Sequence, residues 1–153
     1  MSVFRFSLGR ILDLRRQVEQ EKARSLAQAR RRSDEARDAW ENLAEIQRAG
    51  RAAMAEAHRS GGSVGHLRHM EFVLEQMAGK LENAEERREE AEEELSASVE
   101  KYTEALRDRK SLDRLRSRRW EEWKTEENRR EQKDMDELAV TRFGRLASES
   151  PGS

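Results

Sequence analysis

Only one stretch of this chain is built to turn. Ser60-Gly61-Gly62-Ser63-Val64-Gly65 clusters three glycines, while Gly9, Gly50, Gly79, Gly144 and Gly152 stand alone and the one proline is Pro151. Gly and Pro are the strongest local breakers of regular structure. Two long uninterrupted segments therefore remain, and they are expected to be helices over residues 7–57 and 66–140, joined by a turn at 58–65. Residues 1–6 are read as an N-terminal extension. Residues 141–153, where the apolar period fades, are read as a flexible tail. Ser7 and Ser63 are the expected N-caps, since a serine hydroxyl can accept a hydrogen bond from an amide two or three residues on.

The apolar spacing agrees with helices that pair. With Leu8 at heptad position a, positions a and d of the first segment include Leu8, Ile11, Val18, Ala29, Ala36, Ala39, Leu43 and Ile46. Arg15, Lys22 and Arg32 interrupt them, and Leu12, Leu26, Trp40 and Met54 widen the stripe through position e. With Leu67 at a, the second segment places Leu67, Met70, Leu74, Met77, Leu81, Ala84, Arg88, Ala91, Leu95, Ser98, Tyr102, Ala105, Arg109 and Leu112 at a and d. Heptads sustained this far argue for coiled coil. One turn between two such helices folds them back as an antiparallel hairpin. The expected fold is all-α: a long two-helix coiled-coil hairpin whose second helix is the longer.

Composition narrows the functions available. Charged residues make up 41% of the chain and apolar ones 35%, against about 25% and 45–50% in ordinary globular domains. Such a chain cannot enclose a normal core, and a two-helix hairpin has no dry interior for catalysis. No phosphate-binding loop, nucleophile elbow or zinc signature occurs, so the chain is read as not an enzyme and as needing no cofactor. It has no cysteine, which excludes thiolate chemistry. No apolar run reaches the roughly 18 residues of a membrane span, and the start lacks the apolar stretch of a signal peptide. A cytoplasmic location is expected.

The charges also carry register. Residues 1–60 hold 13 basic and 9 acidic groups (+4), residues 61–100 hold 4 and 11 (−7), and residues 101–153 hold 14 and 12 (+2). With the fold-back near residue 62, residue i faces roughly residue 124 − i, which sets Arg30-Arg31-Arg32 across from Glu92-Glu93-Glu94. Helix one then runs out opposite about residue 120, and helix two overhangs it by about 20 residues, roughly 30 Å. Past Trp123, the only large apolar residues of that overhang up to Leu138 are Met135 and Leu138. Such a helix is marginal alone in water and is expected to meet a partner.

At three places the chain resembles the FliJ family, the soluble coiled-coil component of the bacterial flagellar type III export apparatus. Phe4-Arg-Phe-Ser-Leu-Gly-Arg-Ile-Leu-Asp-Leu-Arg15 is similar to the family's opening segment, and Leu67-Arg-His-Met-Glu-Phe-Val-Leu-Glu-Gln-Met77 to the start of its second helix. Glu127-Asn-Arg-Arg-Glu-Gln-Lys-Asp-Met-Asp-Glu-Leu-Ala139 resembles its most specific signature. The resemblance implies a hairpin similar to the central stalk of rotary ATPases, which serves flagellum biogenesis and motility. Its helix ends would insert into the hexameric ring of the export ATPase FliI. The implied ring contacts are Arg10, Arg15, Arg16, Arg129, Arg130, Gln132, Lys133 and Asp136. Val73 and Met77 would face the cytoplasmic domain of the export gate component FlhA. FliH and export chaperones are further implied partners. The family often carries an aromatic where this chain has Met70 or Val73. The equivalent stalk of a non-flagellar type III secretion system, or a generic coiled-coil scaffold, are the alternatives.

Simpler readings stand beside these. Arginines at core positions can set register or extend past the seam to water. Met77, at position d, is as well explained by hairpin packing; Val73 falls at g, beside the core. Trp40, Trp120 and Trp123 read as packing residues, the last two also as anchors where the pair ends. His58, His66 and His69 surround the turn without a fixed third ligand, so no metal is expected. The arginine clusters have glutamates opposite and no clean leucine zipper follows them, which argues against nucleic acid.

Overall fold

The computed structural model describes residues 2–149. It contains two helices, α1 (Gly9–Arg59) and α2 (Val64–Ser148), packed against each other, the second the longer, with no strand among the described residues. No helix among these residues is long and apolar enough to cross a membrane.

The turn is made by glycine geometry. Gly61 adopts φ 72°, and the Gly62 amide donates to the Ala57 carbonyl at 2.9 Å. That six-to-one bond, with a left-handed residue just past the helix end, is a Schellman cap. Ser63 opens α2 as expected, accepting from the His66 amide at 3.2 Å. Ser7 does not cap α1. The chain enters through a turn in which the Gly9 amide donates to the Phe6 carbonyl (3.0 Å), and Leu8 accepts the first helical bond, from Leu12 (2.9 Å).

The chain divides into two compact units. One is Val18–Leu106; the other combines Met1–Gln17 with Arg107–Ser153. In the first, the α2 face turned inward is the expected a/d set: Ala84, Ala91 and Ala105 are buried, and Leu67, Met70, Leu74, Met77, Leu81, Arg88, Leu95, Ser98 and Tyr102 are half-buried. On α1 the phase differs from the a/d reading. Leu26, Ala29, Ser33, Ala36, Trp40, Leu43, Gln47, Gly50, Met54 and Ala57 turn inward, whereas Ser25, Arg32, Ala39 and Ile46 are exposed. Positions a and e form the seam. Spacings of three and four alternate either way, so the sequence permits both phases. The a/e phase buries Leu26, Trp40 and Met54 and leaves Arg32 in water, which removes more apolar surface at less desolvation cost.

Pairs within this unit support the fold-back. Arg32 Nη1 donates to Glu94 Oε1 at 2.8 Å, the Arg88 guanidinium stacks on the Trp40 ring at 4.4 Å, and Leu74 packs against Gly50. Their residue numbers add to 126, 128 and 124, at or above the expected 124. Helical side chains lean toward their own N-terminus, and in antiparallel helices that lean raises the sum from both sides. The stack also explains an arginine in the seam, since a guanidinium over Trp is a favourable cation–π pair. Arg88 Nε and Trp40 Nε1 nevertheless find no hydrogen-bond partner among the described residues.

Candidate partner interface

The unit that holds both chain ends carries most of the candidate residues. Residues Ser2–Phe6 are not helical and lie along α2. Phe4 meets Trp123 with ring centroids 5.9 Å apart at 49°, and Ser2 Oγ donates to Glu127 Oε2 at 2.7 Å. An extended residue advances about 3.3 Å and a helical one 1.5 Å. Five extended residues therefore cover as much of α2 as about eleven helical ones. This moves the start of the overhang from about residue 120 to just past Glu127, and puts Trp123 in a contact.

Below that clasp two arginines hold the helices together. Arg15 Nη1 reaches Asp108 Oδ2 at 3.4 Å, and Arg16 Nη2 reaches Asp113 Oδ1 at 3.2 Å. Asp113 also accepts from Arg109 Nη1 at 2.7 Å, one helical turn away. The Arg109 hydrogen bond, with Arg16 adding a second bond and charge, holds the Asp113 carboxyl below its ordinary pKa despite the opposing effect of burial. Leu12, one helical turn before Arg16 and 2% exposed, is the one large side chain fully buried among the described residues. Arg15 and Arg16 therefore pair across the hairpin while remaining exposed, as Arg10 is.

Every residue from Asn128 to Glu149 is exposed, yet the helix continues to Ser148. That is eight residues past the boundary at 140 suggested by the fading period. The segment holds good helix formers such as Ala139, Arg142, Arg145 and Leu146, and Thr141 Oγ1 bonds the Glu137 carbonyl at 2.8 Å. Residues 150–153 of the expected tail, including Pro151, and Met1 of the N-terminal extension lie outside the described residues. Arg129, Gln132, Lys133 and Asp136 follow i, i+3, i+4, i+7 spacing and so share one face. Gln132 Nε2 donates to Asp136 Oδ1 at 3.3 Å, and Arg130, off this face, sits 3.9 Å from Glu126. A second face carries Met135, Leu138, Ala139, Phe143 and Leu146. Sequence reasoning stopped at Leu138 and missed Phe143 and Leu146, although their 3–4 spacing from Ala139 was present.

The two gate candidates are presented unequally. Val73 is 42% exposed, whereas Met77 is half-buried in the seam. Next to Val73, Phe72 is 57% exposed, an aromatic that sequence reasoning passed over because it falls outside the heptad core. His58, His66 and His69 are all exposed, and no group of three His, Cys, Asp or Glu that could hold a metal occurs among the described residues.

The family model for the flagellar FliJ protein matches residues 4–148. The chain belongs to the FliJ family. It is thus a component of the flagellar type III export apparatus. Neither a curated protein nor a solved structure matches it significantly. The match takes in the clasp at Phe4, the turn and all of α2. The resemblance read from three short motifs therefore extends over nearly the whole chain.

Proposed function

We propose that this FliJ-family chain is a non-enzymatic stalk, acting at the cytoplasmic face of the membrane, that inserts its helix ends into the ring of the export ATPase FliI. The observation that carries this reading is the exposed helix beyond Glu127, which no other part of the described chain covers and which presents Arg129, Gln132, Lys133 and Asp136 on one face. A ring interior lined by polar groups would supply the partners from outside its own helix that this stripe lacks among the described residues, while Arg130 and Arg10 add cationic groups beside it. Arg15 and Arg16 contribute by fixing the pair of helices from which the overhang projects. Val73, with Phe72 beside it and Met77 one turn on, forms the contact with the cytoplasmic domain of FlhA. FliH and export chaperones join the same assembly.

Mixing the protein with its cognate export ATPase tests the reading. The expected result is increased ATP hydrolysis and hexamer formation at saturating protein, with at least a tenfold loss for the triple variant Gln132→Ala, Lys133→Ala, Asp136→Ala. No stimulation by the unaltered chain, or full stimulation by the triple variant, would overturn it.

A further inference from the structure

The apolar face of the overhang has chemistry of its own. Met135, Leu138, Phe143 and Leu146 are 67%, 70%, 76% and 62% exposed, and together with Ala139 and Arg142 they line one shallow groove. At 100° per residue the core of this face is turned by roughly 100° from the Arg129–Asp136 stripe, and Phe143, on the stripe's side, lies about two turns beyond Asp136, so it is a separate surface. Its core follows residues 135, 139, 142 and 146, a 4–3–4 spacing that suits helix pairing. Leu138 and Phe143 flank that core on opposite sides.

The charges around this face decide the partner. Asp134, Asp136 and Glu137 precede its centre, and Arg142 and Arg145 follow it. Asp134, Arg142 and Arg145 form no ion pair among the described residues, in contrast to Arg130 and Arg119 earlier on the same helix. A segment that is acidic first and basic second matches itself when reversed. A two-fold axis near Val140 would set Asp134 of each copy beside Arg145 of the other, and Met135 of each against Leu146 of the other. A parallel pairing would instead oppose like charges. Self-complementarity about a two-fold axis is the requirement for an isologous dimer.

We propose that residues 130–148 of α2 pair antiparallel with the same segment of a second copy of this chain. The pair forms through the face that includes Met135, Ala139, Phe143 and Leu146 and is oriented by the two Asp134–Arg145 contacts. This pairing is distinct from the ring contact and does not depend on it. The short seam puts the dimer at the weak end of specific interfaces, with dissociation in the micromolar range or above.

Sedimentation equilibrium of the full chain, from micromolar to about millimolar concentration, tests the proposal. The mass should rise from monomer to dimer. Phe143→Glu should weaken the dimer at least tenfold, and so should either single reversal, Asp134→Arg or Arg145→Glu. The double variant carrying both reversals regains complementarity and should return to within about threefold of the unaltered chain. These side chains are exposed, so far-UV circular dichroism should show unchanged helix content throughout. A monomer at every concentration would overturn the proposal, as would a dimer indifferent to Phe143→Glu or a double variant no better than the singles. ATPase stimulation, measured separately on the Gln132/Lys133/Asp136 face, reports on the ring reading alone.

Discussion

Gly50 and Gly79 receive the same substitution in opposite surroundings, which isolates what close packing of the helices requires. Both lie inside helices of the unit Val18–Leu106, so both report on the same structure. Replacing glycine by alanine in a helix interior stabilises by about 1 kcal/mol. A Cβ built at Gly79 meets nothing within 4 Å, so Gly79→Ala should keep most of that gain. A Cβ at Gly50 falls 2.9 Å from Cδ2 of Leu74, well inside the ~3.5–4.0 Å optimum for two carbons. Overpacking of this kind costs about 1–3 kcal/mol. The low end applies here, because the offending atom ends a half-buried side chain that can shift. Gly50→Ala should therefore be about neutral, leaving the two variants about 1 kcal/mol apart. Urea unfolding followed by circular dichroism at 222 nm resolves this, since slopes of about 1–3 kcal/mol per molar urea turn it into a midpoint difference of several tenths molar or more. A double-mutant cycle with Leu74→Ala should show favourable coupling of at least about 0.5 kcal/mol. Equal stabilisation by both alanines would refute the claim that Gly50 is in the seam to admit Leu74.

Other expectations concern the unit holding both ends and the turn. Asp113 has a lowered folded pKa, so its stabilisation is present above the unfolded value of about 3.9 and is lost as pH falls through the folded value. Asp113→Asn should flatten that acid limb of the stability profile, measured by thermal unfolding between pH 2 and 6. Phe4→Ala should cost about 0.5–1.5 kcal/mol of aromatic pairing and shift Trp123 emission to the red in a Trp40→Phe, Trp120→Phe background. Gly61→Ala should lower stability by about 1–2 kcal/mol, because φ of 72° is strained for any side chain. The same change at Gly144, which is helical and has nothing within 4 Å, should raise helix content instead.

Much of this architecture was legible in the residues. The two helices followed from the lack of breakers outside 60–65, and the α2 seam followed its heptad because large residues recur there without competition. On α1, Leu8 begins two equally spaced stripes, and only the facing helix selects the one with Leu26, Trp40 and Met54. Local spacing also could not show that residues 2–6 run extended along α2, because that path depends on Trp123 and Glu127, more than a hundred positions away. The ring candidates separated for the same reason. Arg15 and Arg16 found carboxylates on α2, whereas Arg129, Gln132, Lys133 and Asp136 stayed on an open face.

The sequence by itself determined two helices, one turn, opposed charge blocks and family membership. The helices, the turn and the charge blocks rest on local spacing or composition, and family membership on the match of residues 4–148 to the family model. Only the tertiary structure decided the α1 phase, the pairing of Arg15 with Asp108 and of Arg16 with Asp113, and the exposure of α2 from Asn128 onward. Those outcomes depend on what lies across the seam, and the free energy of burying or pairing a side chain belongs to both helices at once.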